Sequence, residues 1–345
     1  MEFERDFSLF VDVFPSHLGS IIAGFKADLV EVVTDIDRPL ELRTEDRTTR
    51  YPDLRVSWSD IRHITDKLGP FTESDRACIQ NTLHRFSKIV SPDGKVVGLT
   101  CRVGRPYVGN VDLIRSYLQR DKSILIIGKP GSGKTSCLRN IARLLSVEHD
   151  QNVLIVDKDL EICGGGLTPH PSVGRARRMY VPNNRTQASV MISAVENHFP
   201  STVVCDELST KEEGEAVLTI GRRGVAVIAT AHGHSLEDVL KNPALTKTLG
   251  NIRSVTLGDE EAARRGTQKT VLERELDPTF SLVVELRSHE EIAVYSSIGA
   301  GIDAMLSGST CRPRLLRLTD SGVREIERER VAFHQEPTHK PHKAK

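Results

Sequence analysis

No two cysteines in this chain have C-x-x-C spacing, and none stands at metal-ligand spacing from a histidine. The 6 that occur (Cys78, Cys101, Cys137, Cys163, Cys205 and Cys311) are scattered, several inside apolar runs. That excludes a disulfide or zinc scaffold and fits reduced thiols in an intracellular compartment. Net charge is also missing: 47 basic residues balance 47 acidic ones. No global field therefore marks a nucleic-acid or membrane-surface binder, and nucleic-acid binding would need a local patch. No apolar run reaches membrane-spanning length, so no transmembrane segment is expected. The acidic start, Met1-Glu2-Phe3-Glu4-Arg5-Asp6, lacks both an apolar leader core and an Arg/Ser-rich transit character. The expectation is a soluble intracellular protein, of cytoplasm or chloroplast, with no visible targeting peptide.

What is present is concentrated in one stretch. Ile124 to Ile127 is a short β-branched apolar run with the length of a buried strand. It enters Gly128-Lys129-Pro130-Gly131-Ser132-Gly133-Lys134-Thr135, which fits G-x-x-x-x-G-K-[ST] at every position, with Ser136 next. Leu138, Ile141, Ala142 and Leu145 then recur at helical spacing. Strand, glycine loop and helix together let backbone N–H groups and a helix N-terminus converge on phosphate oxygens. Lys134 would reach the β- and γ-phosphates of ATP, and Thr135 would hold Mg²⁺.

A second apolar strand, Thr202 to Cys205, ends in Asp206-Glu207. Beside the loop strand, Asp206 would ligate Mg²⁺ and Glu207 would polarise the attacking water. A third, Val225 to Thr230, ends in Ala231-His232-Gly233, where Thr230 and His232 would meet the γ-phosphate or the water. Glu161, after the strand Val153 to Asp157, is a second candidate for orienting water; its alternative is a salt-bridged loop acid. The run Cys163-Gly164-Gly165-Gly166 beside it suits approach to the nucleotide or flexing. Arginine outnumbers lysine 32 to 15, which favours forked contacts to phosphate. Arg175, Arg177 and Arg178, Arg222 and Arg223, and Arg264 and Arg265 form a pool from which one could act as a finger across a subunit boundary.

At 345 residues there is room for two modest domains. The expected division is an N-terminal α/β domain (1–105), a P-loop ATPase core (106–287), a small extension (288–330) and a disordered tail (331–345). In the first part, helices are expected between Phe10 and Ala27, strands at Leu29–Thr34 and Leu40–Arg43, a helix over Thr72–Val90 and a strand at Val96–Arg102. That Thr72–Val90 helix would carry Arg76, His84 and Arg85 as a basic face. Core helices are expected at Val111–Gln119, Gln187–His198 and Glu212–Gly221, and late strands at Val255–Leu257 and Ser281–Glu285. After residue 287 one more short helix, Gly301–Leu306, is expected.

These motifs together resemble the P-loop ATPase family of stage III sporulation protein AA and its chloroplast reading-frame relatives. The resemblance runs through Thr82-Leu83-His84-Arg85, Gly98 to Arg105, Pro169 to Met179, Ala194 to His198, Thr230 to Gly233, Ser254 to Glu261 and Gly266 to Arg274. It implies an α/β fold: a RecA-like P-loop NTPase core with a mainly parallel sheet, plus a smaller N-terminal α/β domain. It also implies kinship with secretion ATPases, whose acidic and histidine boxes are met by Glu161 and His232. Such relatives are similar in working as hexameric rings, so a hexameric motor on an unknown protein partner or membrane assembly is expected. Some chloroplast relatives add a module binding single-stranded nucleic acid. Here Arg330 and His334 have its R-x-x-x-H spacing, but too little chain follows for the module. The glycine run also departs from the family by lacking aspartates. The resulting expectation is a Mg²⁺-dependent, ring-forming ATPase; the alternatives are a single-strand-binding ATPase and a nucleotide-gated switch with little turnover.

Overall fold

Phe3, Phe7, Phe10 and Phe14 recur every three or four residues around the first helix, Glu2–Asp12, and their rings meet in a chain with centroids 5.2–6.0 Å apart. Phe10 also packs on Phe86 at 5.5 Å, tying the helix to a sheet rather than to another helix. The computed structural model describes residues 2–106, 111–118, 121–265, 270–319, 322–328 and 331–332. Two compact units emerge, one of residues 1–108 with 135–190 and one of residues 109–134 with 191–345.

The first unit holds an antiparallel sheet of β1 (Leu29–Asp35), β2 (Pro39–Thr44), β3 (Thr48–Arg55), β4 (Arg76–Cys78), β5 (Arg85–Val90) and β6 (Val96–Arg102), in the order β3-β2-β1-β6-β5-β4. Leu29, Val32, Leu40, Leu42, Phe86 and Leu99 are buried beneath the two N-terminal helices, of which the second is Ser16–Ala23. The helix expected over Thr72–Val90 is instead the β4–β5 hairpin. Asp75 and Asn81 both take φ of 57°, which interrupts a right-handed helix. Thr72 closes a turn by accepting the Arg76 N–H on its hydroxyl. Strand β3 and the helix Trp58–Lys67, started by a Ser57–Asp60 capping box, had no expected counterpart.

The chain then enters the second unit with a short helix, Val111–Ile114, and β7 (Ile124–Gly128), every residue of which is buried. After the glycine loop the helix Lys134–Val147 leads through the first unit's parallel pair β8 (Val153–Asp157) and β9 (Arg177–Tyr180). There the glycine run lies against the turn that joins β4 to β5. The Gly165 N–H donates to Thr82 O, and the Asn81 N–H donates to Gly165 O. A Cβ on Gly164 would stand 2.3 Å from Thr82 O, at a left-handed φ of 72°. Gly164→Ala should therefore lower unfolding free energy by about 2–4 kcal/mol, combining overpacking with backbone strain. Urea denaturation would show a lower midpoint at unchanged slope.

The second unit continues with the helix Gln187–His198, whose C-terminal part it contains, then β10 (Thr202–Cys205), the helix Lys211–Arg222 and β11 (Ala226–Thr230). Next come β12 (Ile252–Thr256), the helix Asp259–Arg265, β13 (Thr270–Arg274), β14 (Leu282–Leu286) and β15 (Glu291–Tyr295). The helix Ile298–Leu306, β16 (Thr310–Cys311), β17 (Arg314–Thr319) and β18 (Gly322–Arg328) follow. Its sheet runs β18-β17-β15-β14-β7-β11-β10. The strands β14, β7, β11 and β10 are parallel, and β15, β17 and β18 extend them antiparallel. Those added strands were not expected: one short helix is expected in the extension, and β17 and β18 are rich in arginine and glutamate. Val331 and Ala332 pair with Cys311 and Thr310. The Arg265 side chain, Gly266–Lys269, Arg330, His334 and the remaining tail lie outside the described residues. All 6 cysteines are free, and among the described residues no helix is long and apolar enough to cross a membrane.

Candidate nucleotide site

In the second unit, β7 is a fully apolar strand held between β14 and β11, so it delivers its C-terminal glycine to a fixed point. The loop beyond turns through Gly133 at φ 89°, a left-handed value suited to glycine. Lys134 folds back over the loop: its Nζ donates to Gly128 O at 2.8 Å and to Lys129 O at 3.0 Å. Burial pulls its ammonium below the ordinary lysine range, against the carboxylates of Asp206 and Glu207, which push it up. The Ser132 hydroxyl is buried without a hydrogen-bond partner. A cation resting on backbone carbonyls and an orphaned hydroxyl in one loop form a cradle suited to phosphate oxygens.

Asp206 and Glu207 follow β10 directly. The Glu207 N–H donates to Thr230 Oγ1 at 2.8 Å and to Asp206 Oδ1 at 3.1 Å, and the Thr230 hydroxyl donates to Asp206 Oδ1. His232 Nε2 lies 3.0 Å from Glu207 Oε1, both side chains being more than half exposed. The unit thus brings the loop lysine, the carboxylate pair and the histidine of the sequence reading to the C-terminal ends of adjacent strands. Arg223, another candidate, pairs with Glu196 at 3.2 Å.

In the first unit, Glu161 is gripped by two arginines of the β4–β5 hairpin. Its carboxylate accepts from Arg76 at 2.8 Å and from Arg85, and Arg76 also meets Asp159 at 3.2 Å. The loop that presents Glu161 is set by Asp157, which accepts the N–H groups of Glu161 and Cys163 at 3.1 and 2.8 Å. Arg139, on the helix after the glycine loop, donates to Glu161 O at 2.7 Å and to Ile162 O at 2.8 Å. A cavity of about 250 Å³ is lined here by Thr135, Ser136, Arg85, Arg102, Arg139 and Glu161, among others. Burial lowers the Arg85 guanidinium's affinity for its proton while Glu161 raises it, and its Nε has no partner.

These are not the arginines the sequence put first. Arg175 donates to Ser146 O and Asp150 at the end of the helix Lys134–Val147. Arg178 donates to the carbonyls of Gly164 and Gly166 and stacks on Tyr180 at 4.1 Å. Both hold loops of their own chain. Arg139 was missed: its neighbours one turn away, Thr135, Ser136, Ala142 and Arg143, are mostly polar, so no local pattern announces that it is buried.

The chain from 95 to 274 matches the family model described as sporulation stage III, protein AA. It is 43% identical over 297 residues to the uncharacterized protein ycf45 of Porphyra purpurea, covering 86% of this chain and 53% of that protein. It is 45% identical over 283 residues to protein SEEDLING PLASTID DEVELOPMENT 1 of Arabidopsis thaliana, covering 82% of this chain and 41% of that one. The chain thus spans about half the length of these curated relatives. Among solved structures it resembles the pilus retraction motor PilT, crystallised with bound ADP, with a TM-score of 0.50 at 13% identity, over 75% of this chain and 82% of that one. That likeness is one of fold, a RecA-like P-loop NTPase core.

Proposed function

The chain belongs to the sporulation stage III protein AA family, and we propose that within it the chain works as a Mg²⁺-dependent ATPase. The observation that carries this is the glycine loop on β7, with Lys134 folded onto the loop carbonyls beside the Asp206–Glu207 turn. When bound, Mg²⁺ would neutralise charge on the β- and γ-phosphates of ATP. Residues 128–136 would cradle the phosphates, Lys134 exchanging its carbonyl bonds for phosphate oxygens. Thr135 and Asp206 would hold the metal. Glu207 would take up the proton of the attacking water, with His232 registering the γ-phosphate through the same carboxylate.

Glu161 gets a different role in this reading. With Arg76 and Arg85 both on its carboxylate, it serves to aim Arg85 beside Thr135 and Ser136. A hexameric ring acting on a protein partner is the working form we infer, by extension from the resemblance to secretion ATPases. The plastid in the Arabidopsis relative's name makes the chloroplast the compartment we favour. The 330–334 spacing does not change the reading, so nucleic acid stays an alternative cargo.

Steady-state ATP hydrolysis separates these roles. Glu207→Gln should lower turnover by about a hundredfold or more while nucleotide still binds, as loss of a general base does. Glu161→Gln should instead weaken nucleotide affinity through Arg85. A rate raised several-fold by single-stranded DNA or RNA, and lowered again by salt, would move the working substrate to nucleic acid. Equal, full turnover in both variants would remove Glu207 from the chemistry.

A further inference from the structure

Thr230, 1% exposed, ends β11, and its hydroxyl is engaged on both sides. Oγ1 accepts the Glu207 N–H at 2.8 Å and gives its one hydrogen to Asp206 Oδ1. That Asp206 oxygen also accepts the Glu207 N–H at 3.1 Å, so the three groups close a ring. β10 pairs with β11 through Cys205 and Ala229, which leaves Asp206 and Thr230 as the next residues on neighbouring strands. Glu207 sits at a left-handed φ of 47°, a conformation that a residue with a Cβ keeps only where its surroundings hold it. In this turn the Thr230 hydroxyl bonds both the carboxylate and the peptide.

We propose that Thr230 is a positioning residue for the metal-binding carboxylate. Its hydroxyl fixes the rotamer of Asp206 and the peptide that carries Glu207, and thereby sets the site's affinity for a divalent cation. This rests on the Mg²⁺–nucleotide reading of the loop. A hydrogen-bonded partner behind a ligating carboxylate orients it and preserves its acceptor character, and losing such partners typically costs metal affinity tenfold or more. The residue's own oxygen has no hydrogen left for a phosphate, which separates this role from contact with the nucleotide.

The test uses the full chain with Mn²⁺ and ADP as probes, reading free Mn²⁺ by electron paramagnetic resonance. Thr230→Val keeps the side-chain volume and removes the hydroxyl; Thr230→Ser keeps the hydroxyl and removes the methyl. T230V should weaken Mn²⁺ binding in the ADP complex by about tenfold to a hundredfold, with ADP binding in chelator unchanged. T230S should bind Mn²⁺ close to wild type. The Mg²⁺ concentration for half-maximal hydrolysis should rise in T230V and recover in T230S. Should T230V not fold, Thr230→Cys takes its place, with a weaker S–H donor and an intermediate loss. Wild-type Mn²⁺ affinity in T230V, or in T230C where that is used, overturns the proposal. So does a T230S as weak as T230V, which would make packing the cause. Failure of the wild type itself to bind Mn²⁺ with ADP would overturn the ATPase reading and this role together.

Discussion

Replacing Lys134 with alanine is expected to lower Mg²⁺-dependent ATP hydrolysis by about a hundredfold or more, with little change in the thermal melting point. The size follows from removing a preorganised cation from the point where phosphoryl charge develops. The fold should tolerate the change because, among the described residues, Nζ bonds to Gly128 O and Lys129 O, and water can replace it at those carbonyls for a small cost. Burial already holds the ammonium below its ordinary range, so its desolvation is a standing cost that an incoming phosphate would offset. Hydrolysis retained in K134A would sink the proposed function, whatever the other variants did.

The second large effect is on stability. His84 is fully buried, its Nε2 2.9 Å from Asp6 O and its Nδ1 accepting the Gly104 N–H at 3.0 Å. Burial pulls its imidazolium down from 6.5 to about 4, against the Asp6 backbone bond and charge, which raise it. The unfolded chain therefore binds a proton that the fold refuses between those two values. Stability from this group is fully present above pH 6.5 and is lost as pH falls toward about 4, where the loss levels off. At about 1.4 kcal/mol per pH unit the loss is on the order of 3 kcal/mol. Urea midpoints for the wild type should fall between about pH 7 and pH 4.5. His84→Gln, which cannot take up the proton, should start less stable and show a shallower fall. Identical slopes for the two proteins would remove His84 as the source.

The contrast between those two sites shows where sequence reading succeeds. The glycine loop, its apolar strand and the Asp206–Glu207 turn were legible because their signals are local: a run of β-branched residues, fixed spacing, a carboxylate pair at a strand end. The Thr72–Val90 segment misled because Ile79, Leu83, Phe86 and Val90 happen to share a helical period. What decides their fate is distant: Phe86 faces Cys101 across β5 and β6, and Phe10 packs over it. The arginine contacts of this unit are non-local in the same way. Arg76 and Arg85 find Glu161 across 85 and 76 residues of chain, and no spacing rule announces such a pair. Glu161 carried both readings in the sequence; its two arginine partners are what favour the salt-bridged one.

The threading of β7 also bears on how the protein is made. Ser123, just before that strand, is bonded to Val227 and to Ser281, 104 and 158 residues further on. The six-stranded sheet closes by Arg102, within reach of a chain still being synthesised, since domains generally fold from the N-terminal side first. The strand that carries the glycine loop has no such early partner. Until Leu286 has left the ribosome, β7 is an exposed run of isoleucine and leucine with no neighbour on its β14 side. During that interval, rather than in the finished fold, the run is open to the aggregation that unpaired apolar strands favour.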